Sequence, residues 1–172
     1  MLEQVTLARH RGEHRNLLVA ATGTGKTVMA AADYARLAGE FDRARLLFVA
    51  HRQEILHQAM ATFRHALRQQ DFGELWVGPH RPQEFEHVFA SIQSLHANGL
   101  GDLDADHFDV VIVDEFHHAT APTYQRLLDH VEPRELLGLT ATPERSDGLD
   151  VRGFFGGRIA AELRLWDAID QQ

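Results

Sequence analysis

The sequence predicts an α/β fold, a three-layer parallel sheet with helices on both faces, and three observations predict it. Short apolar runs recur at 17–20, 46–50, 88–90, 110–113 and 136–139, rich in branched aliphatics and apolar on nearly every residue. Strands covered on both faces read this way, whereas half-exposed strands alternate. Helical patterns at 26–38, 53–69 and 123–131 separate the runs, and a glycine-rich turn joins the first run to the first helix. Strand and helix in alternation give βαβ units with right-handed crossovers.

Taken in order, run 17–20 feeds the glycine-rich turn and then helix 26–38, with Gly39 placed as its stop. After the second run, segment 53–69 sets Ile55, Leu56, Ala59, Met60, Phe63 and Leu67 at three- and four-residue spacings, one buried stripe. Residues 73–82 and 98–106 read as loops. The stretch 158–172 reads as an edge strand followed by a short helix, without a helix stop signal. With no repeat and no low-complexity linker, residues 1–172 are expected to form one domain.

A chain of 172 residues that is 44% hydrophobic has enough apolar surface for a core. No apolar run approaches the roughly 20 residues of a membrane span, and the N-terminus carries charges where a signal peptide is apolar. The absence of cysteine excludes disulfides, thiolate metal sites and a Cys nucleophile. The expectation is a soluble, cytoplasmic protein with no membrane partner. Its net charge of −8 is uneven: residues 1–70 carry ten basic against six acidic side chains, and residues 71–172 seven against nineteen. A local basic track for nucleic acid and a merely uneven solvated surface both fit that distribution. Sixteen of the seventeen basic side chains are arginine, and Lys26 is the sole lysine.

Lys26 falls in Ala20-Ala21-Thr22-Gly23-Thr24-Gly25-Lys26-Thr27, between a strand and a helix. Gly23 and Gly25 let the backbone curl so that successive N–H groups face a polyphosphate, and the helix N-terminus adds partial positive charge. Thr22, Gly23, Thr24, Gly25, Lys26 and Thr27 are the expected nucleotide-binding set. Lys26 would reach the β- and γ-phosphates and the Thr27 hydroxyl would ligate Mg²⁺. Ala20 stands where the general pattern has its first glycine.

A second strand, 109–113, ends in Asp114-Glu115-Phe116-His117-His118. Asp114 fits a Mg²⁺ partner acting through water, and Glu115 a base that polarises the attacking water. The adjacent His117 and His118 do not read as a metal site, because neighbouring side chains diverge and no His follows at three to five residues. A third strand end runs into Thr140-Ala141-Thr142-Pro143. Its hydroxyls suit sensing of a γ-phosphate, although the segment taken alone reads rather as a plain Thr-Pro turn.

As a set, these segments resemble superfamily 2 helicases of the DEAD/DEAH-box (DExH) kind. AATGTGKT resembles motif I, whose first position commonly accepts Ala; DEFHH resembles motif II and LTATP motif III. VAHRQEILHQ (49–58) is similar to motif Ia, and ASIQSL (90–95) to the nucleic-acid motif that follows. The wording, with GLTATPERSDG after motif III, is most similar to the bacterial branch of restriction-enzyme helicase subunits, over roughly residues 15–148. The resemblance implies a RecA-like P-loop NTPase domain, the first of two motor domains, with ATP and Mg²⁺ as cofactors and DNA or RNA as partner. It implies backbone contacts, to a single strand, from His51, Arg52, Ser91, Gln93 and Ser94. It also implies that His117 relays between the motor domains and that Thr140 and Thr142 couple hydrolysis to movement.

Two family features are not matched. Relatives carry an adenine-reading glutamine ahead of motif I, and Gln4 stands too close to the loop to serve. The second motor domain, with its arginine finger, is also expected to be missing from this chain; Arg145 and Arg152 are not assigned that role. An arginine finger contributes about 10³–10⁵ in rate. The expected function is therefore the ATP-binding domain of a nucleic-acid-dependent ATPase, weak in hydrolysis alone. The alternative is a module that binds nucleotide and nucleic acid with little or no turnover.

Overall fold

The computed structural model describes residues 2–21, 23–97, 99–118 and 121–141, and the backbone of 161–163. Among these, helix α1 (Leu2–His10) precedes strand β1 (Arg15–Ala20), helix α2 (Lys26–Glu40) and strand β2 (Leu46–Ala50). Helix α3 (Gln53–Leu67), strands β3 (Glu74–Trp76) and β4 (His87–Ser91) and helix α4 (Ile92–Ala97) follow. Strand β5 (Val110–Val113), helix α5 (Pro122–His130) and strands β6 (Glu135–Thr140) and β7 (Ala161–Leu163) complete the series. The sheet order is β3-β4-β2-β5-β6-β1-β7, and every pairing is parallel.

The predicted apolar runs all form strands, and the reason they are apolar throughout is visible in the packing. Leu17, Val19, Leu47, Val49, Val111 and Val113 point to one face, under Leu95 of α4 and Tyr124 and Leu127 of α5. Leu18, Leu46, Phe48, Val110 and Ile112 point to the other, under Tyr34 of α2 and Leu56 and Phe63 of α3. Odd and even residues of a strand each meet a helix layer, so neither set can be polar. The chain order explains which helices share a face. From β1 to β2 to β3 the chain moves in one direction across the sheet, and from β4 to β5 to β6 it moves back. Right-handed crossovers put connections running in opposite directions on opposite faces.

Three expectations need correction. Residues 73–82, read as a loop, contain β3, an edge strand that pairs with β4 from Glu74 to Trp76. Gly73 turns the chain into it at φ 80°, and a Cβ there would lie 2.6 Å from the Phe89 ring, so only glycine fits. The Glu74 carboxylate then accepts the N–H groups of Gln83, Glu84 and Phe85, which shapes the turn returning to β4. Gly39 does not stop α2, which runs on to Glu40, with the Phe41 N–H donating to the Leu37 carbonyl. Within 98–106 the chain makes a 3₁₀ turn at Leu100–Asp102. The edge strand expected after residue 158 is β7, paired with β1 through Leu18 to Ala20; the helix expected after it lies outside the described residues.

α1 is fixed to this body by charge. Arg9 donates two bonds to Asp33 of α2, at 2.6 and 2.7 Å, and one to Glu135 of β6 at 2.8 Å. His14 Nδ1 lies 2.7 Å from the second Glu135 oxygen. Burial opposes the Arg9 charge, but the two carboxylates outweigh it and raise its pKa. Asp33 and Glu135 are both buried, and each depends on this fork for compensation.

Candidate nucleotide and nucleic-acid site

Because the strands are parallel, their carboxyl ends lie along one edge of the sheet, where α/β proteins place ligands. From β4 to β1 that edge presents Ser91, His51, Asp114, Thr140 and the glycine-rich turn, in that spatial order. The predicted site residues are thus brought together from five separate segments. Thr22 and Thr142 lie outside the described residues.

In the turn after β1, Gly23 and Gly25 have φ of 84° and 82°, values that l-residues with a side chain rarely adopt. Gly25 is the N-cap of α2, and having no side chain it leaves the first amides of that helix without a side-chain cap. Such a terminus, opening on a left-handed glycine, suits a polyphosphate. The Thr24 hydroxyl donates to the Ala21 carbonyl at 2.6 Å, and Lys26 Nζ donates to the carbonyls of Ala20 and Ala21 at 2.9 and 3.2 Å. Partial burial lowers the Lys26 pKa below the ordinary lysine value, with Asp114 and Glu115 opposing the shift through their charge. The ammonium therefore feels both acidic residues across the edge. Thr27 follows in the first helical turn, half-buried.

Asp114 follows β5, its N–H bonded to the Val49 carbonyl at 2.8 Å and its Oδ1 accepting the Glu115 N–H at 2.8 Å. Burial pushes its carboxyl above the ordinary aspartate range, while that amide and the Lys26 charge act the other way. A carboxylate and a hydroxyl are the hard oxygen donors that Mg²⁺ takes, so Asp114 and Thr27 are the residues that could hold it. Glu115 has φ 51°, an uncommon conformation for a residue with a side chain. Strain of this kind costs of order 1–3 kcal/mol and concentrates at functional sites. The turn delivers the Glu115 side chain, partly exposed, to His51 Nδ1 at 3.1 Å and His118 Nε2 at 3.8 Å. At the end of β6 the buried Thr140 hydroxyl lies 3.4 Å from His117 Nδ1, which joins the β5 and β6 turns.

On the other half of the edge, His51, Gln53, Gly78, Ser91, Gln93, Ser94 and Ala97 line an open groove of about 470 Å³. Four of the five residues expected to touch nucleic acid are among them. Two of them also bond within the fold. Ser91 and Ser94 are buried, and their hydroxyls bond each other at 2.8 Å. Ser91 Oγ also accepts the Ser94 N–H, the pattern of a helix N-cap, and Ser94 Oγ accepts the Gly78 N–H. They build the groove wall; Gln93 is the exposed one. Arg52 is exposed at the N-cap of α3, where no side chain bonds the helix amides, and its Nε donates to His51 Nε2 at 3.1 Å.

Two residues of this region escaped the sequence reading. His118 has no ligand spacing in sequence, and its neighbours are His51 of the β2 turn and Glu115. Tyr124 packs on the His118 ring, its hydroxyl buried without a hydrogen bond among the described residues. Burial, and then the charges of Glu115 and Asp114, push its pKa up. A Tyr in a helical stripe gives no signal of this in sequence.

Comparison with known proteins agrees with the geometry. The endonuclease subunit of the type I restriction enzyme EcoAI of Escherichia coli is 29% identical over 159 residues, 86% of this chain and 19% of that protein. The helicase domain of Pyrococcus furiosus Hef superposes with a TM-score of 0.72 at 20% identity, over 94% of this chain and 37% of that one. The ATP-dependent type ISP restriction-modification enzyme LlaBIII, solved bound to DNA, superposes at 0.74 with 16% identity, over 99% of this chain and 15% of that one. The chain thus spans about a fifth of the length of its curated E. coli relative. Its fold is the RecA-like α/β fold that these structures share. Since the family described as type III restriction enzyme, res subunit, matches residues 1–145, most of its length, the chain belongs to that family of helicase-type proteins.

Proposed function

We propose that this chain is the first motor domain of a nucleic-acid-dependent ATPase, a helicase or translocase, in which Mg-ATP hydrolysis drives movement along DNA or RNA. One observation carries the reading: the sole lysine stands in a left-handed glycine turn, within electrostatic reach of the Asp114–Glu115 pair on a separate strand end. Gly23, Thr24 and Gly25 present backbone amides to the phosphates, Lys26 holds the terminal phosphates, and Thr27 and Asp114 hold the cation. When bound, Mg²⁺ neutralises charge on the β- and γ-phosphates. Glu115 polarises the attacking water. His117 and Thr140, in contact across β5 and β6, pass the state of the site to a second RecA-like domain, which supplies the arginine finger. A relative solved bound to DNA supports nucleic acid as the partner. Without the second domain, binding with little turnover is the alternative state of this chain.

The sole lysine makes a direct test possible. Its lowered pKa increases the neutral, reactive amine, so a lysine-reactive ATP analogue should label Lys26 and excess Mg-ATP should protect it. Labelling confined to the N-terminal amine, or not prevented by Mg-ATP, would rule out a working phosphate site.

Arg52 tests the nucleic-acid half. It stands beside the groove at an uncapped helix N-terminus, suited to one backbone phosphate. Arg52→Ala should weaken single-strand binding and reduce the slope of log affinity against log salt by about 0.7, the value of one phosphate contact on a single strand. An unchanged slope would take Arg52 off the track.

A further inference from the structure

We infer that His51, Glu115 and His118 form a binding site for a transition-metal dication of the Zn²⁺ class, separate from the Mg²⁺ position at Thr27 and Asp114. The donor atoms of the three residues all lie within 4.8 Å of one another. His51 Nδ1 is 3.1 Å and His118 Nε2 3.8 Å from the same oxygen, Glu115 Oε2, and the two imidazole rings meet edge to face at 5.2 Å. Ligands of a tetrahedral zinc with bonds of 2.0–2.1 Å sit about 3.3 Å apart, so small side-chain rotations close the site. Two imidazoles and one carboxylate, with a fourth position open to water, are a donor set that zinc uses. Imidazole nitrogen selects such metals over Mg²⁺, which requires oxygen donors.

The hydrogen bonding of His51 points the same way. Nδ1 is buried and makes no aligned hydrogen bond among the described residues, although the Glu115 oxygen is at ion-pair distance. Its position facing a shared carboxylate is that of a ligand atom. Arg52 Nε–H donates to His51 Nε2, which places the imidazole proton on Nδ1. Metal binding at Nδ1 moves that proton to Nε2 and releases Arg52, an exposed side chain free to swing away. The ligands come from two strand ends, β2 and β5, held in register by the Val49–Val113 pairing. His51 stands in the turn after β2, and Glu115 and His118 in the turn and 3₁₀ segment after β5, so the pairing sets how far apart these segments start. Under the ATPase reading proposed above, a metal here would also hold Glu115 away from the attacking water.

Equilibrium dialysis of the chain against Zn²⁺, with no nucleotide present, tests the site independently of that reading. The wild type should hold one Zn²⁺ that His51→Ala and His118→Ala each weaken by at least about tenfold, the smallest loss seen even for outer-shell changes. His65→Ala, on an exposed part of α3, should leave it unchanged. Far-UV circular dichroism establishes that each variant is folded, and His118→Asn replaces His118→Ala if the latter is not. Co²⁺ bound to the wild type should give the intense visible absorption of four- or five-coordinate cobalt. Equal Zn²⁺ affinity in the wild type and both ligand variants, an equal loss in His65→Ala, or a weak octahedral cobalt spectrum would each overturn the proposal. Failure of ATP to bind would leave it untouched.

Discussion

Glu115→Gln should bind nucleotide as the wild type does and lose turnover by about 10²–10⁴, the usual contribution of a positioned general base. That range corresponds to about 3–5 kcal/mol of transition-state stabilisation. The substitution suits the question because it preserves size and leaves the backbone of the turn intact. Asp114 is bonded to the Glu115 N–H and not to its side chain, so the cation ligand stays in place. The φ of 51° is also retained, so the variant changes the chemistry of one carboxylate and little else. Single-turnover hydrolysis with the chain in excess over labelled ATP, at saturating single strand, measures the step without dependence on product release. Hydrolysis at the wild-type rate would remove Glu115 from the role of base. It would leave strain at that turn to be explained by the contacts with His51 and His118 alone.

The sheet was legible in sequence where burial on two faces removed polar residues. All four residues of β5 are apolar because each meets either α5 or the α2–α3 layer. β3 was illegible for the opposite reason. It is three residues long, on an edge, and begins with Glu74, whose carboxylate organises a turn. Gly39 misled because glycine ends a helix by adopting positive φ, and Gly39 does not. The phosphate loop could be read because its parts are contiguous. The His51–Glu115–His118 cluster could not, since linear spacing says nothing about a residue delivered by a separate strand. Ser91 and Ser94 show a subtler limit: hydroxyls three residues apart suit a ligand or an N-cap, and the sequence does not reveal that they bond each other and the Ser94 N–H.

Lys26→Ala should weaken binding of a non-hydrolysable ATP analogue by one to two decades while the chain remains folded. Hydrogen bonds to a charged group contribute about 1.5–3 kcal/mol, and each 1.36 kcal/mol is one decade. In this structure the ammonium bonds the carbonyls of Ala20 and Ala21, so its removal also leaves two loop acceptors without that donor. Ala21 is half-buried at the turn, where water replaces the donor at small cost, whereas Ala20 is buried and its carbonyl bears more of the loss. The fold does not depend on the contact, because the strand before the loop is held by β6 on one side and β7 on the other. The loss should therefore fall on the ligand. Titration of a fluorescent analogue, compared between the wild type and the variant, measures that loss. Unchanged affinity would sink the assignment of this loop to nucleotide.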